Sequence, residues 1–385
     1  MLTLINARVP NYRDLQQIDI DRRGIIDRIE SMNAPVIGEK TLDIAGDWLS
    51  LGGVDLQING GLGLAFPDLE ETDLDRLDAI SDYLWSRGVD GYLPTLVTTS
   101  IEKFRKALSV IDRFLDRQKQ QNKNTARVLG VHLEGPFLNP QKRGAHPAEY
   151  ILYPSVEAIE DIFEEYLPLI KIVTLAPELD MNGEVVRYLS DRGIIVSLGH
   201  SEASDIQAKK AFENGARMVT HAFNAMPSLH HRKPGLLTEA ILHPRVYCGL
   251  IADGKHVNPN MIQLLLRASD YEKGIFLVSD ALAPIGLEDG LYPWDDRQIQ
   301  VVHGTAKLLN GTLAGTTLPL LQGVVNLVKW DVCDVPRAIL LATEAPRKAI
   351  GIPGLSVGQP ATLLRWNDDD GLRWERIDLA DHLGF

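Results

Sequence analysis

Residues 1–50 alternate apolar and polar positions in short runs, LTLINARV, QIDIDRRGIIDRI and KTLDIAGDWLSL, broken by Gly and Asn turns. A period of two puts successive side chains on opposite faces and predicts a small β-sheet. From residue 52 the rhythm lengthens. Apolar strand-like runs recur as GVDLQI, VDGYLPTLV, RVLGVHLEG, IKIVTLAPE, GIIVSLGHS, ARMVTHAFN, VYCGLIADG and GIFLVSDA. Between them lie segments such as DLDRLDAISDYLWSRG, SIEKFRKALSVIDRFLDRQKQ and NPNMIQLLLRASD, with apolar residues at helical spacing. Eight strands alternating with helices between about 52 and 284 predict a closed parallel barrel rather than an open doubly wound sheet.

Beyond 295 strand patterns return in QIQVVHGTAKLLNGTLAG. Helical patterns follow in TLPLLQGVVNLVKWDV and DVPRAILLATEAPRKAIG, and a hairpin around Asp370-Gly371 closes the chain. The expectation is an α/β protein in two parts. Residues 51–294 form a (β/α)8 TIM-type barrel; residues 1–50 and 295–385 join into a small β-sandwich domain that also carries the C-terminal helices.

Composition narrows the function classes. Of 385 residues, 45% are hydrophobic and 24% charged, which is ordinary for a globular chain. The net charge of −13, with no basic cluster, argues against nucleic acid, although a local pocket can still oppose that charge and take an anionic ligand. Cys248 and Cys333 are far apart and outside any CxxC pair, so neither a disulfide framework nor a thiolate zinc site is expected. The opening MLTLINARVPNYRD lacks a basic n-region and an apolar core, and no apolar run approaches the ~20 residues of a membrane span. A soluble, cytoplasmic protein is expected.

In a barrel of this kind the chemistry sits where the strands end at their C-terminal side. Those ends carry Gln57 and Asn59, His132 and Glu134, His200, His221, Asp253 and His256, and Asp280, with His146 in the loop after the third strand. Singly, each has a plain reading. A strand-end His is more often a hydrogen-bonded packing residue, and an Asp before a helix is more often an N-cap. The coincidence of such groups on several strands is what points to a metal. His230, His231, His243, His303 and His382 lie in loop-like or terminal stretches and receive no role. Imidazole and carboxylate together suit zinc, or iron. Glu134, His200 and His221 make a carboxylate plus two imidazoles with a position left open, the pattern of a catalytic site. Asp280, not spent on the metal, is the candidate general base. G-x-S-x-G, G-x-x-x-x-G-K-[ST] and G-x-G-x-x-G signals are absent.

The ordered motifs VDLQING, GVHLEGPFLNPQKRGAHP, LGHSEA, THAFNAMPSLHHRKPGL, IADGKHV, LVSDA and GTLAGTT, spread over 54–317, resemble those of the N-acetylglucosamine-6-phosphate deacetylases of the amidohydrolase superfamily. The resemblance implies hydrolysis of N-acetyl-D-glucosamine 6-phosphate to D-glucosamine 6-phosphate and acetate by a metal-activated water. Glu134, His200 and His221 correspond to the metal ligands, and Asp280 to the residue that takes a proton and returns it to the leaving amine. Ala145, His146, Asn224 and Ala225 correspond to substrate contacts, as do Asp253, Gly254, Lys255 and His256. Leu313, Ala314 and Gly315 would cover the sugar. His146 or a neighbour would donate to the developing oxyanion. Arg232 would reach the phosphate across the interface of a homodimer.

Three departures stand out. Leu51-Gly52-Gly53 replaces a usual Pro before Gly-Phe, and GTTLPL replaces a Gly-Ser stretch. Gln57 and Asn59 stand where many superfamily members have His-x-His, and amides ligate poorly. One divalent ion per chain is therefore expected, zinc first and iron or another divalent ion as the alternative. Gln57 and Asn59 would instead position water or substrate. The alternative substrate is the galactosamine epimer, N-acetylgalactosamine 6-phosphate, or a related N-acyl amino sugar phosphate. A non-catalytic metal- or sugar-phosphate-binding barrel is the alternative class; it expects a broken ligand set or a lost Asp280, and both are intact.

Overall fold

The computed structural model describes residues 1–121 and 123–379, so His382 and the end of the 295–385 stretch lie outside it. The eight apolar runs become eight barrel strands: β1 (Gly53–Ile58), β2 (Val89–Val97), β3 (Val131–Glu134), β4 (Ile170–Leu175), β5 (Ile195–Leu198), β6 (Met218–Val219), β7 (Tyr247–Leu250) and β8 (Ile275–Leu277). Each pairs in parallel with the next. The ring closes at its mouth, beyond the end of β8. Ile58 bridges Ala281, the Asn59 amide donates to the Ala281 carbonyl at 2.7 Å, and the Asp280 amide donates to the Gln57 carbonyl at 2.9 Å.

Helices follow β1 to β7: α1 (Leu74–Ser86), α2 (Ile101–Gln120), α3 (Val156–Phe163), α4 (Glu184–Asp191), α5 (Asp205–Glu213), α6 (Gly235–Leu242) and α7 (Pro259–Ala268). Local sequence explains them. In α2 the Ser100 side chain accepts from the Lys103 amide, and Phe104, Ala107, Leu108, Ile111 and Phe114 form one buried stripe. Each large side chain buried in this way contributes about 1.5–3 kcal/mol. The place of an eighth helix is taken by α8 (Leu320–Lys329), α9 (Val335–Ala342) and α10 (Glu344–Ile350), which pack against β1 and β8. Leu320, Val324, Leu327 and Ile339 belong to the same apolar core as the barrel.

Both chain ends contribute β-sheet, mixed within residues 2–43 and antiparallel where the two ends pair, so the expected α/β barrel with β layers from the termini is present. Strands within 2–43 form a four-stranded sheet, and Trp48–Leu51 pairs with Leu363–Asn367 in a second sheet. The two share a core that includes Leu2, Leu4, Ile18, Ile20, Leu49 and Leu363. Asp90 ties this layer to the barrel, bonding Arg347 and Arg376 at 2.9 Å each.

A third sheet is a four-stranded meander: Gly290–Trp294, Arg297–Val302, Thr305–Leu308 and Leu313–Thr316. It has a separate apolar cluster, in which Trp294, Ile299 and Val301 meet Ala145 and Leu282 of the barrel loops. Thr316 bridges Ala281 just past β8. The meander therefore stands over the barrel mouth.

Candidate active site

Every residue of β1 is buried, on both faces. The polar face of VDLQING is internal. Asp55 accepts from the Ser279 amide at 3.1 Å, and burial pushes its carboxyl up to about 6, against the pull of its hydrogen bonds. Gln57 Nε2 lies 3.0 Å from Glu134 Oε1 and 3.3 Å from Asp280 Oδ1. Asn59 Nδ2 donates to the same Asp280 oxygen at 2.8 Å.

Glu134 closes β3, while His200 and His221 each stand just beyond β5 and β6. One ligand atom from each lies within 4.8 Å of the others. Glu134 Oε1 is 3.2 Å from His200 Nε2 and 3.1 Å from His221 Nε2, and the two nitrogens are 3.0 Å apart. Bonds of about 2.0–2.1 Å to a zinc-class ion would put tetrahedral donors a little over 3 Å apart. His200 Nδ1 faces the Lys142 carbonyl at 2.8 Å and must donate to it. In the neutral ring Nε2 is then a bare lone pair, aimed at a carboxylate oxygen and another ring nitrogen. That arrangement is repulsive unless a cation sits between them, so the three residues fit a divalent metal. Where no ion sits there, protons on the imidazoles relieve that repulsion instead: burial would raise Glu134, but hydrogen bonds from the His200 and His221 rings then hold it well below the usual carboxylate range. Burial would lower His221, yet the Glu134 carboxylate outweighs it and raises it.

Three of these residues share a backbone feature with no signature in the sequence. His200, His221 and Asp280 have φ of 48°, 30° and 47°. A non-glycine residue there costs on the order of 1–3 kcal/mol and persists only where its surroundings hold it. These three turns stand where strand ends direct side chains into the mouth.

Asp280 is buried, and its carboxyl is pushed up to about 7, first by that burial and then by the Glu134 charge. His146 is buried too, and burial with the nearby His200 pushes its ring down to about 3, so it is neutral. His146 Nδ1 faces Thr98 Oγ1 at 2.9 Å and accepts from the Thr98 amide at 3.3 Å; since an amide can only donate, the ring proton sits on Nε2 and the hydroxyl can donate to Nδ1 as well. His132 uses both ring nitrogens internally, Nδ1 to the Leu56 carbonyl at 3.1 Å and Nε2 to Thr174 Oγ1 at 2.8 Å. It supports the floor of the site and offers nothing to a metal.

A cavity of about 570 Å³ opens above Glu134, His200, His221 and Asp280. Asn59, Ala145, His146, Asn224, Ala225 and His256 line it, and Leu313, Ala314 and Gly315 of the meander form its cover. Of the substrate contacts named from the sequence, four lie outside this lining. Asp253 stands behind His256, bonding its Nδ1 at 2.7 Å and accepting from the Lys255 and His256 amides at 2.8 Å. Gly254 lies so close to Trp330 that a Cβ would sit 2.9 Å from the indole. Lys255 is exposed, and Arg232 is exposed on the segment after β6, outside the cavity of its own chain.

The sequence reading missed Thr98, the Lys142 carbonyl, Trp294 and the rim pair Lys103–Asp68, bonded at 2.6 Å. Reading the end of β2 as the other strand ends were read would have found Thr98. A backbone carbonyl leaves no residue-type signal at all.

A scan against protein-family models finds no match. The N-acetylglucosamine-6-phosphate deacetylase of Vibrio furnissii is 33% identical over 376 residues, 94% of this chain and 90% of its own. The structure of the Pasteurella multocida enzyme of that name superposes with a TM-score of 0.84 at 28% identity, covering 98% of this chain and 100% of its own. A mutant of the Mycobacterium smegmatis enzyme, in complex with N-acetyl-D-glucosamine-6-phosphate, has a TM-score of 0.84 at 25% identity and 96% coverage of both chains. With the barrel, the Glu-His-His group and these relatives in agreement, the chain belongs to the N-acetylglucosamine-6-phosphate deacetylases.

Proposed function

We propose that this protein hydrolyses the N-acetyl group of N-acetyl-D-glucosamine 6-phosphate, releasing acetate and D-glucosamine 6-phosphate. The observation that carries the reading is the convergence of Glu134, His200 and His221 beside Asp280, a carboxyl joined to Glu134 through the Gln57 amide and held on its own side by Asn59. The relatives support the substrate, since one was solved with that sugar phosphate.

Glu134, His200 and His221 would hold one divalent ion per chain, with zinc the first expectation. Bound there, such an ion lowers the pKa of water and polarises a carbonyl. Gln57 and Asn59 both donate to Asp280 Oδ1, which orients the carboxylate and leaves Oδ2 to carry the proton. Asp280 takes a proton from the attacking water, whose oxygen bonds to the acetyl carbon. It then delivers that proton to the sugar nitrogen as the C–N bond breaks, so an amine leaves rather than an amide anion. His146 Nε2–H donates to the acetyl oxygen as charge develops on it. Asp253 orients His256 toward the substrate. Arg232 supplies a guanidinium fork for the phosphate of the neighbouring subunit's substrate in a homodimer, consistent with its exposure. No helix among the described residues is long and apolar enough to cross a membrane, and the cytoplasm is the proposed location.

Acetate release from N-acetylglucosamine 6-phosphate, measured with and without a chelator, tests the reading. Turnover that survives complete metal removal would sink it. The same assay on N-acetylgalactosamine 6-phosphate decides between the epimers.

A further inference from the structure

Glu178 lies past the end of β4, in the short turn Pro177–Leu179, and has no part in the chemistry above. Its carboxylate nevertheless collects three hydrogen bonds. Oε1 accepts from Asn139 Nδ2 at 2.8 Å and from the Glu202 amide at 2.6 Å, and Oε2 accepts from Ser201 Oγ at 2.7 Å. These donors come from two segments on either side of His200. Ser201 and Glu202 are the residues that follow it. Asn139 opens the turn Pro140–Lys142, whose last carbonyl receives the His200 Nδ1 proton at 2.8 Å. Within that turn the Asn139 side chain accepts from Gln141, the Lys142 amide donates back to the Asn139 carbonyl at 2.9 Å, and the Asn139 amide donates to the His200 carbonyl at 2.9 Å.

One carboxylate therefore grips both things that decide what His200 can do. Through Ser201 and Glu202 it holds the backbone of a residue whose φ of 48° requires support from outside. Through Asn139 it holds the turn whose carbonyl sets the imidazole tautomer and leaves Nε2 unprotonated. We propose that Glu178 is a positioning residue for His200: by clamping the β3 and β5 loops together it sets the place and the tautomer of that imidazole, and through them the affinity for the metal. This rests on reading Glu134, His200 and His221 as the metal site.

The test uses the full chain with Glu178→Ala and Glu178→Gln. The zinc dissociation constant is measured by competition with a chelating dye, beside the melting temperature of the metal-free protein. Glu178→Ala is expected to weaken zinc binding roughly ten- to a hundredfold, with metal-free melting close to the parent. Glu178→Gln should fall between, because its amide oxygen still accepts from Asn139 and Glu202 while the Ser201 hydroxyl turns to accept from its N–H. It also keeps the test available if the alanine variant does not fold. Zinc affinity equal to the parent in both variants overturns the proposal. So does a large drop in metal-free melting with unchanged affinity, which would mean a merely structural role. If the parent itself binds no zinc, the metal reading fails. The clamp is then judged by the nitrogen-15 signal of the His200 Nδ1–H in metal-free protein, expected to be sharp in the parent and lost in Glu178→Ala. A signal unchanged by the substitution refutes the clamp on its own.

Discussion

Gln57 and Asp280 are joined twice across the barrel seam. The Asp280 amide donates to the Gln57 carbonyl at 2.9 Å, and Gln57 Nε2 approaches Asp280 Oδ1 at 3.3 Å and Glu134 Oε1 at 3.0 Å. The backbone bond closes the barrel at the place where the side-chain bonds separate two buried carboxylates. Closure of the fold and orientation of the proposed base are therefore one arrangement.

If Asp280 moves the proton, Asp280→Asn should keep the metal and the substrate KM within a few-fold while kcat falls about 10²- to 10⁴-fold. Metal analysis beside steady-state kinetics checks both halves. Near-parental kcat would remove Asp280 from the mechanism.

Gln57 and Asn59 offer amides where imidazoles would ligate. Protein loaded in excess zinc and dialysed should retain one equivalent per chain, and the double variant Gln57→His, Asn59→His should retain up to two. Elemental analysis reads the stoichiometry. Two equivalents in the unaltered protein would refute the single-ion assignment.

The Asp280 carboxyl, pushed up to about 7 in the fold, ionises near 3.9 when unfolded. Between those values the folded, metal-free chain binds the extra proton. The contribution to stability is fully present below about pH 4 and is lost as pH rises through about 7. Asp280→Asn removes that loss. Its metal-free melting temperature should exceed the parent's at about pH 8, and the excess should shrink toward pH 4. An excess that grows toward acid would contradict the raised pKa.

In the proposed mechanism His146 is a neutral donor. His146→Phe should cost about 10²- to 10³-fold in kcat. Thr98→Val should cost far less: it removes the Oγ1 contact to Nδ1 at 2.9 Å, but the Thr98 backbone amide still donates to Nδ1 and keeps the proton on Nε2. With the ring held down to about 3, the pH profile should show no histidine limb removed by His146→Phe. Loss of such a limb would mean that the ring titrates during turnover.

Asp90 serves two guanidiniums, with side chains of Asp90, Arg347 and Arg376 only 11%, 6% and 15% exposed. Asp90→Ala leaves two poorly hydrated cations facing each other and should cost on the order of 3–5 kcal/mol. Chemical denaturation measures it. A loss below about 1 kcal/mol would show that water reaches both arginines.

The eight strands, their order and the residues that gather as the Glu134, His200 and His221 group were legible along the chain. A parallel barrel buries its strands on both faces, so each reads as an apolar run. The chemistry collects at one end of those runs, so polar residues there stand out. His132 looked like its neighbours at the strand ends. Only the approach of Leu56 and Thr174 to its two nitrogens separates it from a ligand.

By itself the sequence determined the periodicities, the helix caps and which residue types end each strand, because these depend on neighbours a few positions away. The tertiary structure decided the rest. It brought Gln57 to Asp280 across 223 residues, put the 290–316 meander over the mouth, filled the eighth helical position with α8 to α10, and aimed the Lys142 carbonyl at His200. Those relations depend on ring closure and on backbone groups that every residue carries. A pattern of side-chain types along one chain holds no record of either.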